Sequence, residues 1–161
     1  MDEVPCDFKE LLECFNARGV EYLVVGAYAL AFHGAPRATG DIDLLIKPEL
    51  ANATRMLAAL GDFGFPSLGL KPEEMAAPEQ VLQLGYEPVR VDIITSLTAL
   101  SWEEAWASRR AGSIAGVPVE FIGRDAYLAN KLASGRRKDL ADIEALGEPP
   151  KPGRKRKGPR K

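Results

Sequence analysis

The chain has 161 residues, of which 46% are hydrophobic and 27% are charged, a composition typical of globular proteins. This excludes a disordered chain, a collagen and a small disulfide-stapled protein. The net charge of −2 hides an asymmetry, because residues 147–161 carry seven Lys or Arg and one Glu, a net of +6, which leaves −8 for residues 1–146. We expect one domain over 1–146 and a disordered basic tail over 147–161, because the tail has no apolar side chain other than proline.

The first half of the domain alternates between helical and strand patterns. Apolar residues recur at helical spacing from Phe8 to Phe15, and Gly19 follows as a helix stop. Two short β-rich apolar runs are separated by an alanine-rich stretch. The predicted elements are helix 7–17, strand 22–25, helix 27–33, strand 41–46 and helix 49–60.

The second half predicts hairpins and further helices. Residues 62–78 are rich in Gly and Pro and predict irregular structure, whereas Ser101 with Glu104 forms a capping-box pattern. The predicted elements are strands 80–86 and 89–94, helix 102–109, a hairpin over 112–122 that turns near Gly116, and helices 124–134 and 138–146. Strands and helices mix without βαβ regularity, so we predict an α+β domain with a mixed sheet flanked by helices.

The N-terminal residues lack the basic start and apolar core of a signal peptide, and no run approaches 18 apolar residues. We therefore expect a cytoplasmic protein with no membrane partner.

Two carboxylates share one face of the second predicted strand. Residues i and i+2 of a strand project to the same side, so Asp41 and Asp43 stand about 6–7 Å apart at Cα. They repel each other unless a cation lies between them, and oxygen-only ligands suit Mg²⁺ or Mn²⁺. The alternative is the solvated face of an edge strand.

A third carboxylate, Asp92, lies within an apolar strand, where burial is unfavourable without a partner. If that strand is a neighbour of 41–46, the three aspartates form one acidic cluster that could hold two metal ions. The alternative for Asp92 is an ion pair with Arg90 or another basic residue.

A strand also runs into a helix at Gly26 and Ala27. Free N–H groups at such a junction, together with the helix dipole, bind phosphate, and glycine allows a close approach of the backbone. Such junctions are common, so the signal is weak when taken alone.

These features together resemble the DNA polymerase β-like nucleotidyltransferase superfamily, and most of all its small bacterial members of the toxin-like AbiE type. The resemblance covers most of residues 20–146. The matching stretches are Tyr22-Leu23-Val24-Val25-Gly26-Ala27-Tyr28-Ala29-Leu30, His33-Gly34, Pro36-Arg37-Ala38-Thr39, Asp41-Ile42-Asp43 and the later Asp92.

The resemblance implies that Asp41 and Asp43 bind metal and that Asp92 helps to deprotonate an acceptor hydroxyl. It implies a cofactor of two Mg²⁺ or Mn²⁺ ions and an NTP co-substrate. Arg37 and Thr39 lie in the loop before the aspartate pair and are candidates for triphosphate contact; the alternative is a role in the loop alone.

A C-terminal segment supplies a second match. Lys131, followed by Gly135-Arg136-Arg137-Lys138-Asp139 and Asp142, resembles a Lys…Gly-Arg-x-Lys-Asp-x-x-Asp segment of related small nucleotidyltransferases. The resemblance implies that Lys131 reaches the triphosphate. The guanidinium of Arg136 has the fork geometry that suits phosphate, and the two aspartates could hold either basic residue in place. The alternative is a surface ion-pair cluster.

The predicted activity is metal-dependent transfer of an NMP from an NTP to an acceptor hydroxyl, with release of pyrophosphate. An RNA such as tRNA and a cognate protein are the candidate acceptors, which is compatible with a toxin–antitoxin system. Ala27 departs from the family, whose turn has Gly or Ser at this position, so a phosphate-binding hydroxyl is missing. The alternative is therefore a catalytically degenerate nucleotidyltransferase fold that serves as a binding or antitoxin-like module. An acidic-cluster nuclease is a weaker option that leaves Gly26 and Lys131 without a role.

Overall fold

The computed structural model describes residues 6–35, 40–65, 69–86 and 89–147. The helices are α1 (Cys6–Ala17), α2 (Gly26–Phe32), α3 (Leu50–Phe63), α4 (Pro72–Met75), α5 (Trp102–Ala107), α6 (Arg124–Ser134) and α7 (Arg137–Ala145). The strands are β1 (Tyr22–Val25), β2 (Asp41–Ile46), β3 (Val81–Tyr86), β4 (Val89–Ile94), β5 (Arg110–Ile114) and β6 (Val117–Phe121). Residues 148–161 of the predicted tail and the 36–39 loop, which contains Arg37 and Thr39, lie outside the described residues.

The six strands form one mixed sheet in the order β3-β4-β2-β1-β6-β5. The β1–β2, β3–β4 and β5–β6 pairs are antiparallel, whereas β2–β4 and β1–β6 are parallel. This confirms the predicted α+β class with a mixed sheet flanked by helices. The parallel β2–β4 pair occupies the interior of the sheet, where both strands have neighbours on each side.

The core forms where the apolar patterns predicted it. All four residues of β1 are buried, and so are the four apolar residues of β2, because strands in the sheet interior are covered on both faces. Helix α1 contributes its predicted apolar face and packs against α3. The buried residues of that face are Phe8, Leu11, Leu12 and Phe15.

The β5–β6 hairpin turns through two residues, as the pattern near Gly116 predicted. Ala115 and Gly116 both have positive φ, at 52° and 83°, and Ile114 pairs with Val117 across the turn. Two left-handed residues in a two-residue loop make the type I′ turn, whose twist matches that of the strands.

The segment 62–78 was predicted to be irregular, and part of that prediction is wrong. Helix α3 continues to Phe63 and ends at Gly64, whose φ of 110° is left-handed. The short helix α4 follows, with Pro72 in its first turn and the Glu74 side chain accepting the Lys71 N–H at 2.7 Å. Proline fits the first turn of a helix, so proline content alone was a poor guide to this segment.

No helix in the described part of the chain combines the length and the apolar character needed to cross a membrane.

A buried asparagine ties the start of β1 to the end of β2. Asn52 of α3 is fully buried, and its Oδ1 accepts the Glu21 N–H at 2.8 Å. Its Nδ2 donates to the carbonyls of Glu21 and Lys47, both at 3.0 Å. One side chain therefore satisfies three backbone groups beside the strands that carry the candidate site.

We predict that Asn52→Ala lowers the free energy of unfolding by about 1–3 kcal/mol, because the Glu21 N–H loses its acceptor and the carbonyls of Glu21 and Lys47 each lose one of two hydrogen bonds. Urea unfolding measures this difference. Thr54→Ala is the matched control on the same helix, since the Thr54 hydroxyl only donates to the Leu50 carbonyl at an exposed position. Equal stabilities of the two variants would contradict the assigned role of Asn52.

Candidate active site

The parallel register of β2 and β4 brings the three predicted aspartates to neighbouring positions. Asp43 lies opposite Asp92, and Asp41 lies opposite Arg90. Because i and i+2 share a face in each strand, these four residues form one group on one face of the sheet. We call Asp41, Asp43 and Asp92 the acidic cluster.

Arg90 is an integral part of this group. Its Nε donates to Asp92 Oδ1 at 3.0 Å, and its Nη2 donates to Asp92 Oδ2 at 3.2 Å. The same Nη2 lies 3.3 Å from Asp41 Oδ2. The ion pair that the sequence offered as the alternative for Asp92 is therefore present, and it extends to Asp41, which the sequence did not suggest.

The strand–helix junction at Gly26 contacts the acidic cluster directly. Gly26 opens α2 with a left-handed φ of 69°, and a Cβ atom at this position would overlap the carboxylate of Asp43. Glycine is therefore required here both for its conformation and for the space it leaves. The next residue, Ala27, is buried and brings only a methyl group to the junction.

The carboxyl group of Asp43 is poorly stabilised as an anion. Burial raises its pKa to about 6, and the charges of Asp92 and Asp41 and a hydrogen bond with Asp92 act in the same direction. The charge of Lys131 acts in the opposite direction and lowers this pKa. Lys131 of α6 is thus close enough to influence the acidic cluster electrostatically.

Lys131 is held by two buried aspartates of α7. Its Nζ lies 3.2 Å from Asp139 Oδ1 and 3.7 Å from Asp142 Oδ2, and it also lies over the Tyr127 ring at 5.4 Å. Asp139 is fully buried and Asp142 is 3% exposed. The predicted contact of the lysine with these aspartates is present, but at a buried site rather than in the surface cluster that was its alternative.

Arg136 shares Asp139 with the lysine. Its Nε donates to Asp139 Oδ2 at 2.7 Å and its Nη2 to Oδ1 at 3.2 Å, while 66% of the Arg136 side chain stays exposed. Burial acts to raise the pKa of Asp139, but hydrogen bonds from Arg136 and the charge and hydrogen bond of Lys131 outweigh it and lower that pKa. The basic residues of this segment therefore have an ionised partner at neutral pH.

The acidic cluster offers oxygen donors of the kind that bind a divalent cation. In residues 6–35, 40–65, 69–86 and 89–147 no group of three His, Cys, Asp or Glu is arranged so that it could hold a metal ion. The donors nevertheless fit Mg²⁺ or Mn²⁺ in kind, since they are carboxylate oxygens from paired strands, and Asp43 lacks adequate counter-charge. The donors thus fit a divalent cation in chemistry but not in their present arrangement, in which Arg90 lies between Asp41 and Asp92.

Several solved structures have a fold similar to that of this chain, whereas comparisons of its sequence found no match. Neither family models nor curated proteins gave a match to this chain. A Thermotoga maritima protein assigned as a nucleotidyltransferase is similar at a TM-score of 0.56 and 16% identity, covering 85% of this chain and 88% of its own.

Two antibiotic-modifying enzymes are similar to the same degree. ANT(2″)-Ia, solved with adenylyl-2″-tobramycin, has a TM-score of 0.57 at 16% identity over 86% of this chain and 84% of its own. The lincosamide adenylyltransferase LnuA, solved with lincomycin, has a TM-score of 0.56 at 16% identity over 91% and 98%. At these identities the comparisons show that the chain has a nucleotidyltransferase-like fold; the AbiE-type subfamily stays a prediction.

The raised pKa of Asp43 predicts how stability depends on pH. The folded state binds this proton more tightly than the unfolded state, so the contribution of Asp43 to stability is greatest below pH 3.8 and is lost as the pH rises through about 6. Without divalent ions at pH 7.5, we expect Asp43→Asn to be more stable than the wild type by about 1–3 kcal/mol. The difference should shrink towards pH 4 in urea unfolding with EDTA.

Asp62→Asn is the control with the opposite sign. A hydrogen bond from Arg18 is the main cause that lowers the pKa of the exposed Asp62, so its removal should lower rather than raise stability at pH 7.5. Equal responses of the two variants to pH would show that Asp43 is not held in an unfavourable charge state.

Proposed function

We propose that the chain is a nucleotidyltransferase that moves an NMP from an NTP to an acceptor hydroxyl. The observation that carries the proposal is the β2–β4 register, which sets Asp43 beside Asp92, within contact of the Gly26 junction, in a nucleotidyltransferase-like fold. The acceptor oxygen attacks the α-phosphorus, the bond to the β-phosphate oxygen breaks, and pyrophosphate leaves. Positioning and neutralisation of charge supply the rate, without a covalent enzyme intermediate.

The acidic cluster would hold one or two Mg²⁺ or Mn²⁺ ions. A bound divalent cation would neutralise triphosphate charge and acidify the acceptor hydroxyl. We assign Asp41, Asp43 and Asp92 to binding of the cation, and Asp92 also to the uptake of the hydroxyl proton. In this scheme the acidic cluster, which repels a triphosphate by itself, becomes able to receive one.

The chain's own residues would bind the triphosphate from two sides. The backbone N–H groups of Gly26 and Ala27 can donate to phosphate oxygens without a side-chain hydroxyl. Lys131 and the exposed guanidinium of Arg136 share Asp139, and we assign both to neutralising the leaving phosphates. Arg37 and Thr39 remain candidates for the same role.

A second candidate is a fold that has lost its chemistry and acts as a binding module. Ala27 and the Arg90 ion pairs favour it, since one removes a phosphate ligand and the other neutralises carboxylates without metal. The two functions differ in whether label from an NTP is transferred.

We predict that label from α-labelled NTPs is transferred in the presence of Mg²⁺, and that Asp41→Asn or Asp43→Asn reduces transfer about 100-fold or more. Each NTP is incubated with total tRNA, candidate proteins or small hydroxylated compounds, and the labelled species is identified by mass. Asp62→Asn is the matched control, because Asp62 pairs with Arg18 in an exposed ion pair on other elements. Transfer that persists in folded Asp43→Asn would refute the site assignment, and no transfer with no metal-dependent NTP binding would favour the binding module.

The acceptor class has a test of its own. ANT(2″)-Ia and LnuA were solved with antibiotics or their adduct, so small molecules belong in the screen beside RNA and protein. The +6 segment 147–161 favours RNA, because Lys and Arg bind phosphates and their contribution falls steeply with salt. This tail and a toxin–antitoxin role are proposals drawn from the sequence.

We expect deletion of residues 148–161 to raise the KM for an RNA acceptor about threefold or more at low salt, while the KM for NTP stays the same. Replacing the Lys and Arg residues of this segment with Gln in the full-length chain separates the role of charge from that of length. An unchanged KM for RNA at low salt would leave the tail without a part in acceptor binding.

A further inference from the structure

One nitrogen of Arg90 lies between two carboxylates of the acidic cluster. Arg90 Nη2 is 3.3 Å from Asp41 Oδ2 and 3.2 Å from Asp92 Oδ2. A guanidinium keeps its charge at any physiological pH, so this is a permanent cation tethered to β4. It stands where a cation shared by Asp41 and Asp92 would stand.

The distances show that the two cations exclude each other. Mg²⁺ lies about 2.1 Å from its oxygen ligands, so two carboxylate oxygens that share it are at most about 4.2 Å apart. Each of the two oxygens is now more than 3 Å from Nη2, and a nitrogen cannot remain between them when they close around a smaller ion. Sharing of one ion by these two Oδ2 atoms therefore requires Nη2 to leave.

Arg90 has room to leave. Its side chain is 27% exposed, as is that of Asp41, whereas Asp92 is 13% exposed. Nη2 lies 3.3 Å from Asp41 at the more open end of the group, while Asp92 accepts two hydrogen bonds from the guanidinium, at 3.0 and 3.2 Å. The weaker contact of the two is thus also the more accessible to water and ions.

The other cation near the acidic cluster cannot take this place without losing its own partners. Lys131 Nζ is engaged by Asp139 and Asp142, and its effect on Asp43 is electrostatic. Arg90 is thus a counter-ion in contact with Asp41 and Asp92, whereas Lys131 acts on Asp43 through its charge.

We propose that Arg90 is a competing cation that closes the acidic cluster in the metal-free protein and sets how tightly a divalent ion binds there. Loading of the site breaks the Arg90–Asp41 contact and turns the guanidinium towards solvent. This inference rests on the proposed function, since it concerns the carboxylates assigned to the cation.

The test is a Mn²⁺ titration followed by electron paramagnetic resonance, without nucleotide or acceptor. We expect Arg90→Gln to bind Mn²⁺ about fivefold more tightly than the wild type, because an ion pair of up to about 1 kcal/mol no longer opposes the metal. Arg18→Gln is the matched control, since Arg18 also makes a bidentate pair with an aspartate, Asp62, away from the cluster. Unchanged or weaker Mn²⁺ binding by folded Arg90→Gln would overturn the proposal.

A second variant covers the case in which Arg90→Gln does not fold. Arg90→Lys keeps the charge but lacks the fork that contacts both carboxylates, so it should bind Mn²⁺ more tightly than the wild type and less tightly than Arg90→Gln. Thermal unfolding gives an independent readout, in which Mn²⁺ should raise the Tm of either variant more than that of the wild type. Equal Tm shifts would count against competition.

The outcome separates this inference from the proposed function. If neither the wild type nor the variants bind Mn²⁺, the competition is refuted whether or not transfer is observed. If Arg90→Gln binds more tightly and no NTP label is transferred, the competition stands and the enzymatic function fails.

Discussion

Parallel pairing of β2 with β4, in one register, decides which side chains meet at the candidate site. A slip of one residue would turn Asp92 to the opposite face of the sheet, away from Asp43, and would bring apolar side chains in its place. The register is fixed by burial, because Ile42, Leu44 and Ile93 are almost completely excluded from water. The apolar residues that alternate with the aspartates therefore place the charges, although they take no part in any chemistry.

The acidic cluster shows how a folded protein can keep like charges together. Arg90 contacts two of the carboxylates, and the third, Asp43, has its pKa raised to about 6 by burial and by its neighbours. Each device reduces repulsion by a different route, through pairing in one case and through easier protonation in the other. A site that keeps Asp43 beside two other carboxylates still favours added positive charge, which a divalent ion would supply.

Much of this fold was predictable because its strands are short β-rich runs that end at polar or glycine residues. The bounds predicted for β1, β2 and β4 agree with the structure, and so does the helix 124–134. Helix α4 was missed because a single helical turn has no periodicity to detect. The Arg90–Asp41 contact was missed because it depends on the parallel register, and no local pattern encodes which strands pair. The burial of Asp139 was missed for a different reason, because charged residues are ordinarily exposed and the sequence does not show which helix face is covered.

The separation of β2 and β4 along the chain affects when the candidate site forms during folding. Asp43 and Asp92 are 49 positions apart in the chain, and α3, α4 and β3 are made between them. Pairings between distant segments form slowly, because the connecting chain must first be ordered. On the ribosome, Gly26, Asp41 and Asp43 are synthesised well before Arg90 and Asp92. A nascent chain of that length carries two of the three aspartates of the acidic cluster without Arg90, so the site is complete only after β4 has joined the sheet.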